Sequence, residues 1–201
     1  MHPFRTDTPK HRQHRKVCKN YKSYKKTLRI DFKNRCGYCN DLDFNRIRNY
    51  VIDHFVPQNP KGWSHRILPN KYLNLIYACP FCNGAKSNKW PTLDSTKPND
   101  GSIGFIKPTT KHYSKVFRRN NEGVIIVHKS HPLGQYIHEE LELGLDIHSL
   151  NWKFEKIFEQ EKNLEILEKK TTDSTLKAEI NRIKLLRLEI VDTINNLYNA
   201  I

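Results

Sequence analysis

Apolar positions change their spacing twice along this 201-residue chain. Residues 1–20 hold few of them. That stretch is polar and Pro-containing, and reads as a solvated or disordered arm, compatible with a tail that contacts phosphate. Tyr21 to Phe32 predicts a short helix, because Leu28 and Phe32 are four apart on one helical face. Residues 50–55 predict a strand, supported by the β-branched pair Val51 and Ile52. Pro57, Pro60 and Gly62 then force a loop. Leu73 to Cys79 predicts a second strand. Pro80 suits the first turn of a helix, which runs to about Lys89 and ends before Pro91. The local order is strand, loop, strand, helix.

Residues 91–112 are rich in Pro, Gly, Thr, Ser and Lys and predict an irregular connector. Lys115–Arg119 and Gly123–His128 predict a β-hairpin over Asn120–Gly123. Residues 135–143 predict a helix capped by Gly144. From about Asn151 the pattern is helical to the end. Leu176, Ile180, Ile183, Leu186, Ile190, Ile194 and Leu197 step by three or four along one face. Thr171-Thr172-Asp173-Ser174 divides this region in two, with Asp173 or Ser174 as N-cap. The expected result is an αα-hairpin, which either packs on the core or serves as an arm for dimerisation or partner docking. The fold class is α+β. The expected organisation is a basic arm (1–20), a core (21–98), a connector with hairpin and helix (99–150) and a helical hairpin (151–201).

Charge adds a partner class. Lys+Arg number 35 against 21 Asp+Glu, a formal net charge of +14. Residues 1–29 carry ten bases and one acid, residues 30–100 ten and six, residues 101–201 fifteen and fourteen. The excess therefore sits at the front, and such a balance suits a polyanion, most commonly nucleic acid. No apolar run reaches the roughly 20 residues of a membrane span. The basic N-terminus has no apolar segment of the secretory kind, so a cytoplasmic location is expected.

Five cysteines include two Cys-x-x-Cys pairs, Cys36/Cys39 and Cys79/Cys82, which fit zinc in a reducing compartment better than disulfides. One zinc held by all four thiolates is a closed, structural site. Cys18 reads as incidental, and Gly37 as serving the tight turn of the first knuckle. Between the pairs lies Asp53-His54, which ends a strand before a Pro-rich loop. Asn74 and Asn83 lie on the second strand and the following helix. An Asp and an Asn offer oxygens to a hard divalent ion. A neutral His beside them accepts a proton from water near pH 7. His65, on a loop, reads as a surface group, and His112, His128, His131, His138 and His148 as structural or solvated. Trp63 and Trp90 read as packing residues around the zinc core.

Cys-Gly-Tyr-Cys, Ile-Asp-His-Phe-Val-Pro, Asn74-Leu75 and Cys-Pro-Phe-Cys-Asn-Gly-Ala-Lys-Ser-Asn-Lys occur in that order over Cys36 to Lys89. This segment resembles the HNH nucleases, the zinc-knuckle branch of the His-Me (ββα-metal) finger enzymes. The resemblance implies a ββα-metal core stapled by zinc. It implies His54 as general base, and Asp53 and Asn83 as ligands of a single Mg²⁺ or Mn²⁺. Asn74 would hold the histidine loop by a backbone hydrogen bond. Asn83 stands where many members have His, which favours hard cations. Lys86, Lys89, Arg12, Arg15 and Lys16 are the expected nucleic-acid contacts. Tyr72 to Trp90 is similar to the HNH subunits of Septu-type and retron-associated antiphage systems. These act beside a P-loop ATPase, which the back half would dock. The implied activity is phosphodiester hydrolysis, with DNA the expected substrate. A stand-alone homing or restriction endonuclease, dimeric through its C-terminal helices, and a non-catalytic zinc nucleic-acid binding module are the alternatives. The sequence does not separate duplex DNA from single strands or RNA.

Overall fold

The computed structural model describes residues 1–43, 50–169 and 173–199. In chain order the elements are β1 (His2–Pro3), α1 (Lys25–Asp31), β2 (Val51–His54), β3 (Leu75–Ala78) and α2 (Pro80–Lys86). There follow α3 (Lys111–Val116), β4 (Phe117–Arg119), β5 (Ile125–Val127), α4 (Pro132–Glu140), α5 (Asp146–Glu168) and α6 (Ser174–Asn199). Short 3₁₀ turns at Tyr21–Tyr24 and Tyr72–Asn74 precede α1 and β3. Among the described residues no helix is long and apolar enough to cross a membrane.

Two small sheets share one core. β2 and β3 pair antiparallel with Asp53 opposite Ile76 and His54 opposite Leu75. Every residue of β3 is buried, so it is the inner strand. The strand is shorter than the sequence predicts, because Tyr72–Asn74 wind into the 3₁₀ turn that aims Asn74 inward. Leu28 and Phe32 are buried on the same side, as their spacing predicts. The second sheet has the order β1-β4-β5. Residues Lys115 and Val116 belong to α3 rather than to a strand.

The N-terminal segment is not a solvated arm over its first twelve residues. His2 and Pro3 pair with Arg119 and Arg118 of β4. Phe4 is buried against Tyr113 and Phe117. The buried Arg5 guanidinium donates to Gly37 O (2.8 Å) and Pro108 O (3.2 Å). Burial lowers its pKa to about 10. His11 bonds Leu75 O (2.7 Å), and Arg12 pairs with Asp31 (2.6 Å). A basic composition did not reveal this, since Phe4 is one apolar residue in a polar run and its pocket is built from residues a hundred positions away.

α2 starts on Cys79, whose Sγ accepts from Cys82 N (3.4 Å), with Pro80 in the first turn. It stops at Lys86, three residues short of Lys89, because Ser87 turns to a positive φ of 45°. α4 likewise ends before Gly144. Glu142 takes the left-handed cap position (φ 52°), and Leu143 N closes on His138 O (2.9 Å). Gly144 instead lies against the His138 ring, 3.2 Å from the place a Cβ would occupy.

α5 begins five residues before Asn151, at Asp146, and lies beside α6. Asp173 caps α6, accepting from Thr175 N (2.8 Å). Thr171 and Thr172, and the side chains of Ile194 and Leu197, lie outside what is described. Ile147 and Phe154 of α5 pack with Leu150, with Ile190 and Val191 of α6, and with Phe81 of α2. Part of the C-terminal apolar face is thus spent on the core. Leu185, Leu186 and Leu188 remain exposed.

Candidate active site and metal centre

Cys36, Cys39, Cys79 and Cys82 are all buried, and their sulfurs lie within 4.8 Å of one another. Zinc bonded to sulfur at about 2.3 Å in a tetrahedron requires sulfur–sulfur edges of about 3.8 Å. Cys39 Sγ and Cys79 Sγ are 3.8 Å apart. Burial pushes the Cys39, Cys79 and Cys82 thiols up. Cys36, despite its burial, is drawn down by hydrogen bonds from the other three. A cation among the four sulfurs would hold them as thiolates against that burial, and at this spacing the donor set fits a closed zinc site.

The first knuckle turns at Asn40 (φ 67°), with Asn40 N bonded to Cys36 O (3.0 Å). Gly37 is needed for a different reason from the one the sequence suggests. A Cβ there would sit 2.6 Å from Ile76 Cγ2 and 2.8 Å from Phe32 Cε1. Its N–H reaches Tyr77 O (2.7 Å), so the knuckle presses its backbone onto β3.

A second layer surrounds the sulfurs. His148 Nδ1 and Asn151 Nδ2 both donate to Asp41 Oδ2 (2.6 and 3.2 Å). Arg119, nearly fully buried, donates to Asp41 Oδ1 and Cys39 O (both 3.0 Å). His148 Nε2 is 3.9 Å from Cys82 Sγ. None of these four residues was identifiable from local spacing. Asp41 lies two positions after Cys39, but its partners come from β4 and α5.

Asp53, His54 and Asn83 line one open cleft together with Pro57, Gln58 and Asn88. Adjacent strand residues point to opposite faces; these two share the cleft because β2 ends there. His54 Nε2 is 2.8 Å from Pro69 O. A carbonyl oxygen only accepts, so Nε2 carries the hydrogen and Nδ1 keeps the lone pair. Burial lowers the His54 pKa, which keeps the ring neutral. The Tyr21 ring meets it edge-on at 4.7 Å.

Asn74 sits behind the cleft rather than in it. Its Oδ1 accepts from Val56 N and its Nδ2 donates to Val56 O, each at 2.9 Å. Phe55 N also reaches Asn74 O (2.8 Å). Three bonds thus clamp the two residues that follow His54.

Lys86 requires a correction. Its side chain is fully buried, so it is neither a solvated face nor a phosphate contact. Its ammonium donates to His54 O (3.0 Å) and lies 3.4 Å from Asp53 Oδ2. Tyr38, the residue between Gly37 and Cys39, donates to that same oxygen. Burial raises the Asp53 pKa against the opposing pull of Lys86, and lowers that of Lys86 against Asp53. One carboxylate and one amide oxygen suit a hard cation that keeps several waters. Asp53 and Asn83 are the residues of the cleft that could offer such a pair, with Lys86 already sharing the carboxylate's charge.

The remaining expected contacts scatter. Lys89 pairs with Glu140 (2.7 Å) and Arg12 with Asp31 (2.6 Å). Arg15 lies over the Tyr72 ring at 4.4 Å, and Lys16 is exposed. His65 is a loop pin rather than a loose surface group, bonding Pro57 O (2.7 Å) and Ile67 N (3.0 Å). Trp90 packs with Phe55 and Phe105, in the same core cluster as the four cysteines.

Residues 36–89 match the model of the HNH endonuclease family. The matched segment contains all four cysteines, Asp53-His54, Asn74, Asn83 and Lys86. It covers about a quarter of the 201 residues. No curated protein and no solved structure matches the chain.

Proposed function

We propose that residues 36–89 form a metal-dependent HNH endonuclease that hydrolyses phosphodiester bonds of nucleic acid, with DNA the expected substrate. The observation that carries this is the state of His54. Its Nε2 is tied to Pro69 O, which leaves Nδ1 as a base in the cleft that Asp53 and Asn83 also line. His54 Nδ1 takes a proton from water, the water oxygen bonds to phosphorus, and the bond to the 3′ oxygen breaks. Such a base contributes on the order of 10²–10⁴-fold. Asp53 and Asn83 would hold Mg²⁺ or Mn²⁺, which supplies charge relief at the leaving oxygen. Asn74 holds the two residues that follow His54, and Lys86 holds the His54 carbonyl. The four cysteines take no part in chemistry. They pin the helix bearing Asn83 to the knuckle bearing Tyr38, a ββα-metal arrangement stapled by zinc.

The test is cleavage of plasmid, single-stranded DNA and tRNA-like substrates with Mg²⁺ and Mn²⁺, wild type against His54→Ala. Loss of cleavage with fold, zinc content and nucleic-acid binding retained is expected. Unchanged cleavage by His54→Ala would sink the assignment.

A finer proposal is an antiphage effector that works with a P-loop ATPase, in which residues 151–201 dock the partner. Leu185, Leu186 and Leu188, exposed on α6, support a docking role for that region. Co-purification of an ATPase should fall when residues 151–201 are removed; equal recovery by both forms removes the docking role.

A further inference from the structure

The chain's charge excess lies in its first hundred residues, and residues 101–201 are nearly neutral. Within that neutral half, one open depression gathers six basic side chains and no acid. His112 and Lys115 come from α3, Arg118 from β4, and His128, Lys129 and His131 from the turn between β5 and α4. Among the described residues, no carboxylate forms an ion pair with Lys115, Arg118 or Lys129. Arg12, Arg29, Arg35 and Lys89, by contrast, each pair with a carboxylate. Lys115, Arg118 and Lys129 bring three positive charges to one space that no acid lines, a local field that attracts an anion.

The site is built on a firm base. α3 and the β4–β5 pair place Tyr113, Val116, Phe117 and Ile125 in the core. Lys129 holds a left-handed conformation (φ 63°), which is unfavourable for a residue with a Cβ. Gly or Asn would be the cheaper residue there. His131 Nδ1 accepts from Gly134 N (3.0 Å), so in the neutral ring the hydrogen is on Nε2. That Nε2 lies 3.4 Å from His112 Nε2. The same bond argues against a chelated metal, because Nδ1 is already used as the acceptor. Shallow, exposed and wide, the depression suits a polymer of phosphates rather than an enclosed small anion.

Its place relative to the cleft is set by α4. The helix starts beside His131 and ends at Glu140, which pairs with Lys89 just after the α2 exit. Ser87 and Asn88 at that exit line the catalytic cleft. Nine residues of α-helix span about 13 Å, on the order of four phosphate steps along one DNA strand.

We propose that this depression is a second nucleic-acid surface, outside residues 36–89, which grips the phosphate backbone of the strand held at the cleft. The proposal rests on the nuclease reading for its ligand. Lys115, Arg118 and Lys129 supply the charge, and His112, His128 and His131 add hydrogen-bonding groups.

The test uses the zinc-loaded full chain and a labelled DNA duplex long enough to reach both surfaces. Binding is titrated against salt in Ca²⁺ for wild type and for Lys115→Gln/Arg118→Gln/Lys129→Gln. Each lost phosphate contact lowers the slope of log K against log salt by about 0.9, so the triple variant should lose about 2.7. Cleavage of long duplex should lose kcat/KM with kcat kept, while a duplex too short to leave the cleft should be cut as by wild type. Should the triple variant fail to fold, the exposed single changes Lys115→Gln and Lys129→Gln carry the same test at about 0.9 each. A wild-type slope in the variants overturns this proposal and leaves the nuclease reading standing. Wild type that binds with the slope but cleaves nothing overturns the nuclease reading alone. Wild type that does not bind nucleic acid overturns both.

Discussion

Lys86→Met tests how the cleft is held. The lysine side chain is fully buried, and that of Asp53 is 7% exposed. Removing the ammonium leaves Asp53 Oδ2 with Tyr38, and strips His54 O of a donor at 3.0 Å. Deleting one member of a buried ion pair typically costs about 3–5 kcal/mol, because the other charge stays buried. Met keeps most of the stem volume, so cavity formation adds little. The loss should therefore appear as a drop of that size in equilibrium denaturation of the zinc-loaded protein. Asp53→Asn/Lys86→Met, which removes both charges, should recover a large part of it, giving a coupling well above the roughly 0.5 kcal/mol error of additivity. The pH dependence has a defined sign. Burial already raises the Asp53 pKa above 3.8, and Lys86 opposes the rise. A raised folded pKa contributes stability that is present below the unfolded value and lost as pH climbs through the folded one. Without Lys86 the folded value rises further. The deficit of Lys86→Met should thus be small near pH 3.8 and grow towards neutrality. A loss under about 1 kcal/mol at neutral pH, or additive effects in the cycle, would refute the ion-pair account.

Three further outcomes follow from the geometry. Burial lowers the His54 pKa below 6.5, so the acidic limb of kcat/KM should fall below that value; a limb above 6.5 contradicts the base assignment. Asn74→Ala orphans both Val56 N–H and C=O, and should cost about 2–4 kcal/mol by denaturant titration and slow cleavage through the His54 loop. Gly37→Ala drives a Cβ to 2.6 Å from Ile76 and should cost about 1–3 kcal/mol in thermal unfolding; a neutral effect would mean that the knuckle does not press on β3.

The Asn74 clamp also shows where reading from sequence reached its limit. The 3₁₀ turn that aims Asn74 follows from no periodicity in Tyr72–Asn74, so the sequence predicts an earlier strand start. Lys86 on a seven-residue helix looks like a solvated base, since nothing local announces that Asp53 and Phe105 cover it. The N-terminal arm misleads for the same reason. Its charge is local, but the pocket for Phe4 and Arg5 is made by Tyr113, Phe117, Gly37 and Pro108.

Pieces whose signal is short-ranged are legible in the chain alone. These are the two Cys-x-x-Cys pairs, the β-branched run before Asp53-His54, the Pro80 helix start and the apolar stripe of the last helix. Each depends on spacing within a few residues, where chain geometry leaves few choices. Which charges are paired and which stand open depends on the folded arrangement. It buried Lys86 on Asp53 and Arg119 on Asp41, and left Lys115, Arg118 and Lys129 without a described acid partner on an open face. Charge counts along a chain cannot tell these apart, because pairing is settled by distance in space, and burial sets what each pair is worth.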